Sequence, residues 1–243
     1  YNFDIQILKK YNFNFLIHNY FPPPKNPFNF NLASQNSLIR NKSLRLAKRA
    51  IDLCGILDSS LYTFHAGFTI DPKTLGKSFE KNNITSKFTA FSTFIDSIEE
   101  LTDYSKNSGI KIAIEPNVVQ KFNLVNGKNE LLLLAEYDEI ELFYKFFKKN
   151  EIGLLLDLGH TAVTSHWLNF NKDDFVKKCK NNTLAVHVSN NDGKKDQHKG
   201  LTKSCWQVSK LKLFKHVPII LETMNLSINQ IKENIDIVKS TIK

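Results

Sequence analysis

The sequence has 243 residues, of which 42% are hydrophobic and 12% aromatic, and its formal net charge is +9 at pH 7. The apolar content is too high for a disordered chain and sufficient for one large core, so we expect a single domain over residues 1–243. No run of about 18 apolar residues occurs, which excludes a predicted membrane span. The lysines are spread along the whole chain, which favours a solvated surface over a nucleic-acid-binding face.

Six short apolar segments have the length of β-strands, and their apolar residues are nearly continuous rather than alternating. Continuous apolar character is typical of strands buried on both faces, as in a parallel sheet covered by helices. The segments, in chain order, are residues 12–21, 60–68, 110–119, 152–161, 183–190 and 217–225.

Segments with helical spacing alternate with these strands, at residues 1–12, 43–57, 87–101, 137–150 and 228–242. Apolar residues three or four positions apart predict the face of each helix that packs on the sheet. The predicted faces carry Leu44, Ala47, Ala50, Ile51 and Cys54; Phe88, Phe91, Phe94, Ile95, Ile98 and Leu101; Leu142, Phe143 and Phe146; and Ile228, Ile231, Ile235 and Val238.

The alternation of strands and helices predicts right-handed βα units around a parallel sheet. The length suits an α/β fold of the (β/α)8 TIM barrel type, which needs eight strands where we count six. We therefore expect the first one or two βα units of the barrel to precede Tyr1. A smaller open sheet is the alternative.

Ionisable residues stand at or near the carboxyl end of every predicted strand, where the active sites of parallel barrels assemble. These six residues are His18, His65, Glu115, Asp157, His187 and Glu222. His160 follows Asp157 by one helical turn, and Asp196 and His198 lie in the loop after His187. We expect all nine side chains at one rim of the barrel.

A bound divalent cation is the simplest reason for placing four carboxylates together, because without it they would repel one another. Mn, Mg and Zn accept imidazole and carboxylate ligands, and nine candidate ligands suffice for one to three ions. Each residue alone has an ordinary structural alternative. A histidine at a strand end can be a hydrogen-bonded core residue, Glu115 can cap a helix, and Asp196 and His198 can lie on a loop surface.

Three cysteines, Cys54, Cys179 and Cys205, form no C-x-x-C pair. Their odd number argues against a disulfide framework. We therefore expect a reducing, cytoplasmic environment, and the start of the sequence does not resemble a signal peptide. His166 and His216 fall outside the strand-end pattern and are interpreted as structural or exposed.

The segments LIHNYF, FHAG, IAIEPN, LLDLGH, VHVSNNDGKKDQH and IILETMN together resemble the xylose isomerase-like TIM barrels. This superfamily includes endonuclease IV and sugar-phosphate isomerases and epimerases. In the isomerases and epimerases, one ion is held by residues that match Glu115, Asp157, His187 and Glu222. In endonuclease IV, three zinc ions also use residues that match His18, His65, His160, Asp196 and His198.

The resemblance favours an isomerase or epimerase acting on a sugar or sugar phosphate, because IEPNV and HVSNNDG differ from the corresponding nuclease segments. It implies that Glu115 and Glu222 are the catalytic acid/base pair. His65 and the loop lysines Lys194, Lys195 and Lys199 would then bind substrate hydroxyls or a phosphate.

Two alternatives remain. The first is a trinuclear zinc phosphoesterase of the endonuclease IV type, for which nucleic acid would be the partner. The second is a catalytically silent barrel that serves in binding. A homo-oligomer is compatible with all three, and no membrane partner is expected.

Overall fold

The computed structural model describes residues 5–11, 13–72, 81–148 and 151–243. Within these ranges six strands form one parallel sheet, in which each strand pairs with the next along the chain. The strands are β1 (Ile17–His18), β2 (Leu61–His65), β3 (Lys111–Glu115), β4 (Ile152–Asp157), β5 (Thr183–Val188) and β6 (Ile219–Leu221). The predicted fold class is confirmed: the six strands and their helices form part of a (β/α)8 barrel.

Eight α-helices occur in the described residues. They are α1 (Ile5–Lys9), α2 (Ser37–Ile56), α3 (Lys87–Lys106), α4 (Tyr137–Phe143), α5 (Leu158–Leu168), α6 (Lys172–Cys179), α7 (Trp206–Lys210) and α8 (Ile228–Ile242). Short 3-10 helices cover Lys121–Asn123, Lys180–Asn182 and Leu211–Phe214. None of these helices is long and apolar enough to cross a membrane.

Several predicted elements have different ends in the structure, as the strand predicted over 12–21 and observed at Ile17–His18 shows. The strand predicted over 152–161 stops at Asp157, because the Asp157 carboxylate accepts a hydrogen bond from the His160 N–H and so caps a helix that starts at Leu158. The helix predicted over 137–150 stops at Phe143 and turns, while residues 149–150 lie outside the described ranges. Residues 1–4 and 12 of the first predicted helix also lie outside the described ranges.

The apolar faces of the helices agree only in part with the prediction. All five predicted residues of α2 are buried, and so are Phe94, Ile95, Ile98 and Leu101 of α3. Phe88 is 84% exposed. At 100° per residue, Phe88 lies about 120° around the helix from Phe94, so the two rings cannot share one face.

Helix α8 differs most from its predicted orientation. Val238 is buried as predicted, but Ile228 is 72% exposed, and Ile231 and Ile235 are also exposed. The inward position is held by Asn234, whose side-chain oxygen accepts a hydrogen bond from the Leu201 N–H. This polar contact sets the rotation of the helix and turns the isoleucines outward. Leu142 and Phe146 of the α4 segment are likewise exposed.

The core has a large layer between the sheet and the helices and a small cluster inside the curl of the sheet. Fully buried rings in the large layer include Tyr62, Phe64, Phe94 and Phe143. The inner cluster joins residues from successive strand segments, namely Leu16, Leu61, Ala113, Leu155, Ala185 and Ile220.

We predict that Phe94→Ala lowers the free energy of unfolding by about 3–5 kcal/mol, because it removes a fully buried ring and leaves a cavity. Phe88→Ala, on the same helix, should change it by less than about 0.5 kcal/mol. Urea denaturation followed by circular dichroism measures both values. Equal losses for the two variants would contradict the orientation of α3.

Candidate metal centre

Strand register fixes the relative heights of the polar strand ends. His65 of β2 is paired with Glu115 of β3, and Asp157 of β4 is paired with His187 of β5. His18 ends β1 beside Thr63, and the His18 Nδ1 atom shares a 2.8 Å hydrogen bond with the Thr63 hydroxyl. The sheet therefore fixes the heights of these side chains before any loop is considered.

Side-chain alternation then points the polar residues inward. Residues two or four positions apart in a strand face the same side. Each polar strand-end residue follows a member of the inner apolar cluster by such a spacing, so it inherits the inward direction. The pairs are Leu16 and His18, Leu61 and His65, Ala113 and Glu115, Leu155 and Asp157, Ala185 and His187, and Ile220 and Glu222.

The loop after β5 adds two more ligand candidates. The backbone N–H and carbonyl of Asn190 pair with those of Lys199, and the Met224 N–H donates to the His198 carbonyl, so the loop folds back over the strand ends. His198 has a left-handed backbone, with φ of 46°, which non-glycine residues seldom adopt. The loop places the Asp196 Oδ2 atom 3.0 Å from His198 Nε2 and 3.4 Å from His160 Nε2.

The potential ligands fall into three groups. Within each group, the candidate nitrogen and oxygen atoms lie within 4.8 Å of one another. The groups are His18, His65 and Glu115; Glu115, Asp157, His160 and Glu222; and His160, Asp196 and His198. Glu115 belongs to two groups, and so does His160. His187 joins the central group, since its Nδ1 atom is 2.9 Å from Glu222 Oε2 and 3.6 Å from Glu115 Oε1.

Many of these atoms are buried without a hydrogen-bond partner. In the described part of the chain, nine buried side-chain nitrogen or oxygen atoms make no hydrogen bond of regular geometry, and seven belong to the three groups, although some of the seven lie at ion-pair distance from one another. They are both carboxylate oxygens of Glu115, Asp157 Oδ2, His160 Nδ1, His187 Nδ1, Asp196 Oδ1 and Glu222 Oε2. Buried polar atoms are normally satisfied, so this concentration points to a missing partner common to them all.

Burial and charge shift the pKa values in opposite directions within the cluster. Burial lowers the pKa of His18 to about 4, and the Glu115 carboxylate offsets only part of that shift. At His187, burial alone would lower the pKa. The Glu115 and Glu222 carboxylates outweigh the effect of burial, so the pKa of His187 is raised to about 10. Burial, together with the charge of Glu115, raises the pKa of the Asp157 carboxyl. The neighbouring carboxylates therefore outweigh burial in setting the pKa of His187 but not that of His18.

Comparison with known proteins identifies the family to which the chain belongs. The profile of the family described as "Xylose isomerase-like TIM barrel" matches residues 5–240, nearly the whole chain. The chain belongs to this family. The parallel barrel and the strand-end cluster described above therefore occur in a member of this family.

Relatives of both kinds are similar to the chain. An apurinic-apyrimidinic endonuclease 1 of Plasmodium falciparum is 29% identical over 90% of this chain, which spans 35% of that protein's length. A probable endonuclease 4 of Campylobacter fetus is 26% identical over 84% of this chain and 71% of its own. The crystal structure of a D-tagatose 3-epimerase-like protein superposes with a TM-score of 0.72, 20% identity and coverage of 98% of this chain and 83% of that one. The last likeness shows the shared fold.

The residues of this family member fit a divalent cation. The ligand candidates are imidazoles and carboxylates, which such ions accept, and several are anchored through one atom while the other stays available. Thr63 anchors His18, the Glu222 carbonyl anchors His198 Nδ1 at 3.0 Å, and the His160 N–H anchors Asp157 Oδ1 at 2.7 Å. Coordination of a cation would give the unpaired atoms the partner that they lack.

The structure brings together all nine predicted ligands, whereas the predicted substrate-binding lysines are not part of the cluster. Lys194 lines a separate surface cavity, and its carbonyl accepts a hydrogen bond from Trp167. Lys195 and Lys194 donate backbone N–H groups to Asp192, and the backbone of Lys199 pairs with that of Asn190. Their role in substrate binding stays a prediction. His216 is exposed, as the sequence indicated.

Sequence reasoning missed the residues that support the cluster. Thr63 orients His18, and Gln120 accepts a 3.2 Å hydrogen bond from the Asp196 N–H. The Asn117 side-chain amide donates to the carbonyls of Ala66 and Gly67 and so ties the loop after β3 to the loop after β2. Thr63 could have been found from its place two residues before His65 on the inward side of β2, but the amide contacts join distant segments.

We predict that Glu115→Gln lowers the divalent-metal content more than Asp196→Asn does. Glu115 belongs to two of the three groups, whereas Asp196 belongs to one. Elemental analysis of the purified variants, with His216→Asn as a control outside the cluster, measures the difference. Metal content in Glu115→Gln equal to that of the parent chain would refute the assignment of Glu115 as a shared ligand.

Proposed function

We propose that the chain is a divalent-metal-dependent isomerase or epimerase that acts on a sugar or sugar phosphate. The observation that carries the proposal is a concave cavity of about 490 Å³ beside the cluster, with His65 in the lining of both. Its volume is in the range of small-molecule sites, about 300–1,000 Å³. The proposal concerns this chain alone, since the chain spans only part of the nuclease relatives.

The lining of the cavity supports an uncharged polyol portion of the ligand. Aromatic rings provide apolar faces for the C–H groups of a sugar, and side-chain amides provide hydrogen-bond donors and acceptors for its hydroxyls. The rings are those of Tyr20, Phe28, Phe30, Phe68 and Phe122, and the amides those of Asn19, Asn29, Asn117, Gln120 and Asn123. No lysine or arginine occurs among the described residues that line it.

Glu115 and Glu222 are suited to the two proton transfers. The His187 Nδ1 atom lies 3.6 Å from Glu115 Oε1 and 2.9 Å from Glu222 Oε2, so the two carboxylates meet at one imidazole nitrogen. One carboxylate would remove the proton next to the substrate carbonyl, and the other would return a proton to the opposite face or the neighbouring carbon. A bound divalent ion would supply polarisation of the carbonyl and its neighbouring hydroxyl.

Glu115 and Glu222 differ in exposure as an acid/base pair of this kind would. The Glu115 side chain is fully buried, whereas that of Glu222 is 29% exposed. Burial shields one proton-transfer step from water, and the half-buried partner can exchange its proton with solvent. Deuterium from the solvent should therefore enter the product.

A trinuclear phosphoesterase is the second candidate, and one specific observation favours it. The cluster separates into three groups with shared Glu115 and His160, which would allow three ions rather than one. Two of the similar proteins are named as endonucleases. In this reaction water would attack phosphorus, a phosphorus–oxygen bond would break, and no carbon–hydrogen bond would change.

We predict that the chain catalyses exchange of a carbon-bound proton next to a carbonyl in at least one ketose, aldose or phosphate ester of these. Incubation in deuterated water with the metal-loaded protein, followed by proton NMR, detects the exchange. Glu222→Gln should slow it by about 10²–10⁴-fold, the usual contribution of a general acid or base. Glu233→Gln, on exposed α8, is the matched control and should be unchanged.

The same preparation is incubated with a DNA duplex that carries one abasic site and analysed on a denaturing gel. Cleavage of the duplex, with no deuterium in any sugar of the panel, would overturn the isomerase proposal in favour of the phosphoesterase. Absence of both activities in protein with full metal content would favour the catalytically silent barrel.

A further inference from the structure

A second concave surface lies on the far side of the loop that follows β1. It encloses about 340 Å³ and is lined by Pro24, Asn26, Phe28, Lys42, Arg45, Leu46 and Arg49. Phe28 also lines the cavity beside the metal cluster, so this one residue separates the two spaces. We call the second surface the α2 groove.

Three cations face the α2 groove without an acidic neighbour. Lys42, Arg45 and Arg49 are three and four residues apart on α2, so they share one face of the helix over about 10 Å. No carboxylate lines the groove among the described residues, and in that part of the chain the three cations have no ion-pair partner.

Of the other charged residues of the same helix, Lys48 and Asp52 have partners, whereas Arg40, outside the groove, has no ion-pair partner among the described residues. Lys48 lies 2.7 Å from Glu100 and stacks over the ring of Tyr104, and Asp52 accepts a hydrogen bond from the Tyr104 hydroxyl. Like charges three or four residues apart destabilise a helix. An unpaired set of three cations around a concavity therefore works against the stability of α2 unless an anion offsets it.

The opposite wall of the groove is a stiff loop. Residues 22–24 are consecutive prolines, which restrict the backbone. The Phe28 N–H donates a 2.6 Å hydrogen bond to the Tyr20 hydroxyl, and the Phe28 ring packs against the Tyr20 ring with centroids 5.7 Å apart. The Asn26 side chain adds a neutral donor to the groove.

We propose that the α2 groove binds the phosphate groups of a small molecule. Two guanidinium groups and one ammonium group are the donors that phosphate oxygens accept best, and Arg binds them in a bidentate manner. The enclosed volume suits one or two phosphate groups rather than an extended polyanion. The phosphate is either a part of the cavity ligand that reaches past Phe28 or a separate ligand, and the inference does not depend on the reaction catalysed.

Binding of inorganic pyrophosphate to the purified protein, measured by isothermal titration calorimetry, tests the proposal. We expect one saturable site whose affinity falls at least about tenfold in the Arg45→Gln/Arg49→Gln double variant. Lys48→Gln, on the same helix but outside the groove, should bind as the parent chain does. The double variant should unfold at an equal or higher urea concentration, because it loses like-charge repulsion.

Three outcomes would overturn the proposal. The first is the absence of saturable binding. The second is undiminished binding in the double variant, which would place pyrophosphate at the metal cluster, and the third is an equal loss of affinity in Lys48→Gln, which would indicate a general charge effect. If the double variant does not fold, Lys42→Gln alone provides the same comparison. A single-stranded oligonucleotide run beside pyrophosphate distinguishes the size of the ligand. Tighter binding of the oligonucleotide, lost in the double variant, would replace the small molecule by a nucleic acid.

Discussion

Four carboxylates share one buried space at the carboxyl ends of the strands, and the rest of the site depends on how their charge is balanced. Among the described residues, histidines are the only cationic groups within ion-pair distance of Glu115, Asp157, Asp196 and Glu222. Charges of one sign repel strongly where water is excluded. An imidazole whose pKa these carboxylates raise, such as that of His187, relieves part of this repulsion, and divalent ions would relieve it more completely.

The fold turns this electrostatic problem into a geometric arrangement with few loops. Strand register sets the height of each ligand, and alternation above the inner apolar cluster sets its direction. Only Asp196 and His198 come from a long loop, and that loop is fixed to Gln120, Asn190 and Met224 by hydrogen bonds to its backbone. The aromatic cavity opens beside His65, so a ligand there would meet the cluster at its edge. This adjacency is the reason for preferring small-molecule chemistry over a phosphodiester reaction.

The sequence predicted the parallel sheet, because buried strands are continuous apolar runs and each one here ends in a polar residue. It also predicted which nine residues meet, since every strand end of a parallel barrel reaches the same rim. Other features depend on contacts between distant segments. The exposure of Phe88 and the rotation of α8 about Asn234 are set by packing partners that local spacing does not reveal. The same is true of the cavity, whose rings come from the loops after β1, β2 and β3.

Asp157 has two roles, since it caps a helix and also belongs to the metal-ligand cluster. Its run of leucines predicts a strand, and the same carboxylate that ends the strand caps the next helix and points its free oxygen into the cluster. A pattern search assigns the segment to one element, whereas the chain uses it for two.

We propose that the strand-end carboxylates and histidines hold divalent cations. Crystals of the metal-loaded protein, measured at and below the absorption edge of the bound element, test it most directly through anomalous difference maps. We expect at least one strong peak in contact with Glu115, Asp157, His187 and Glu222. A metal-loaded crystal with no peak in this cluster, or with its only peaks at surface residues, would contradict it.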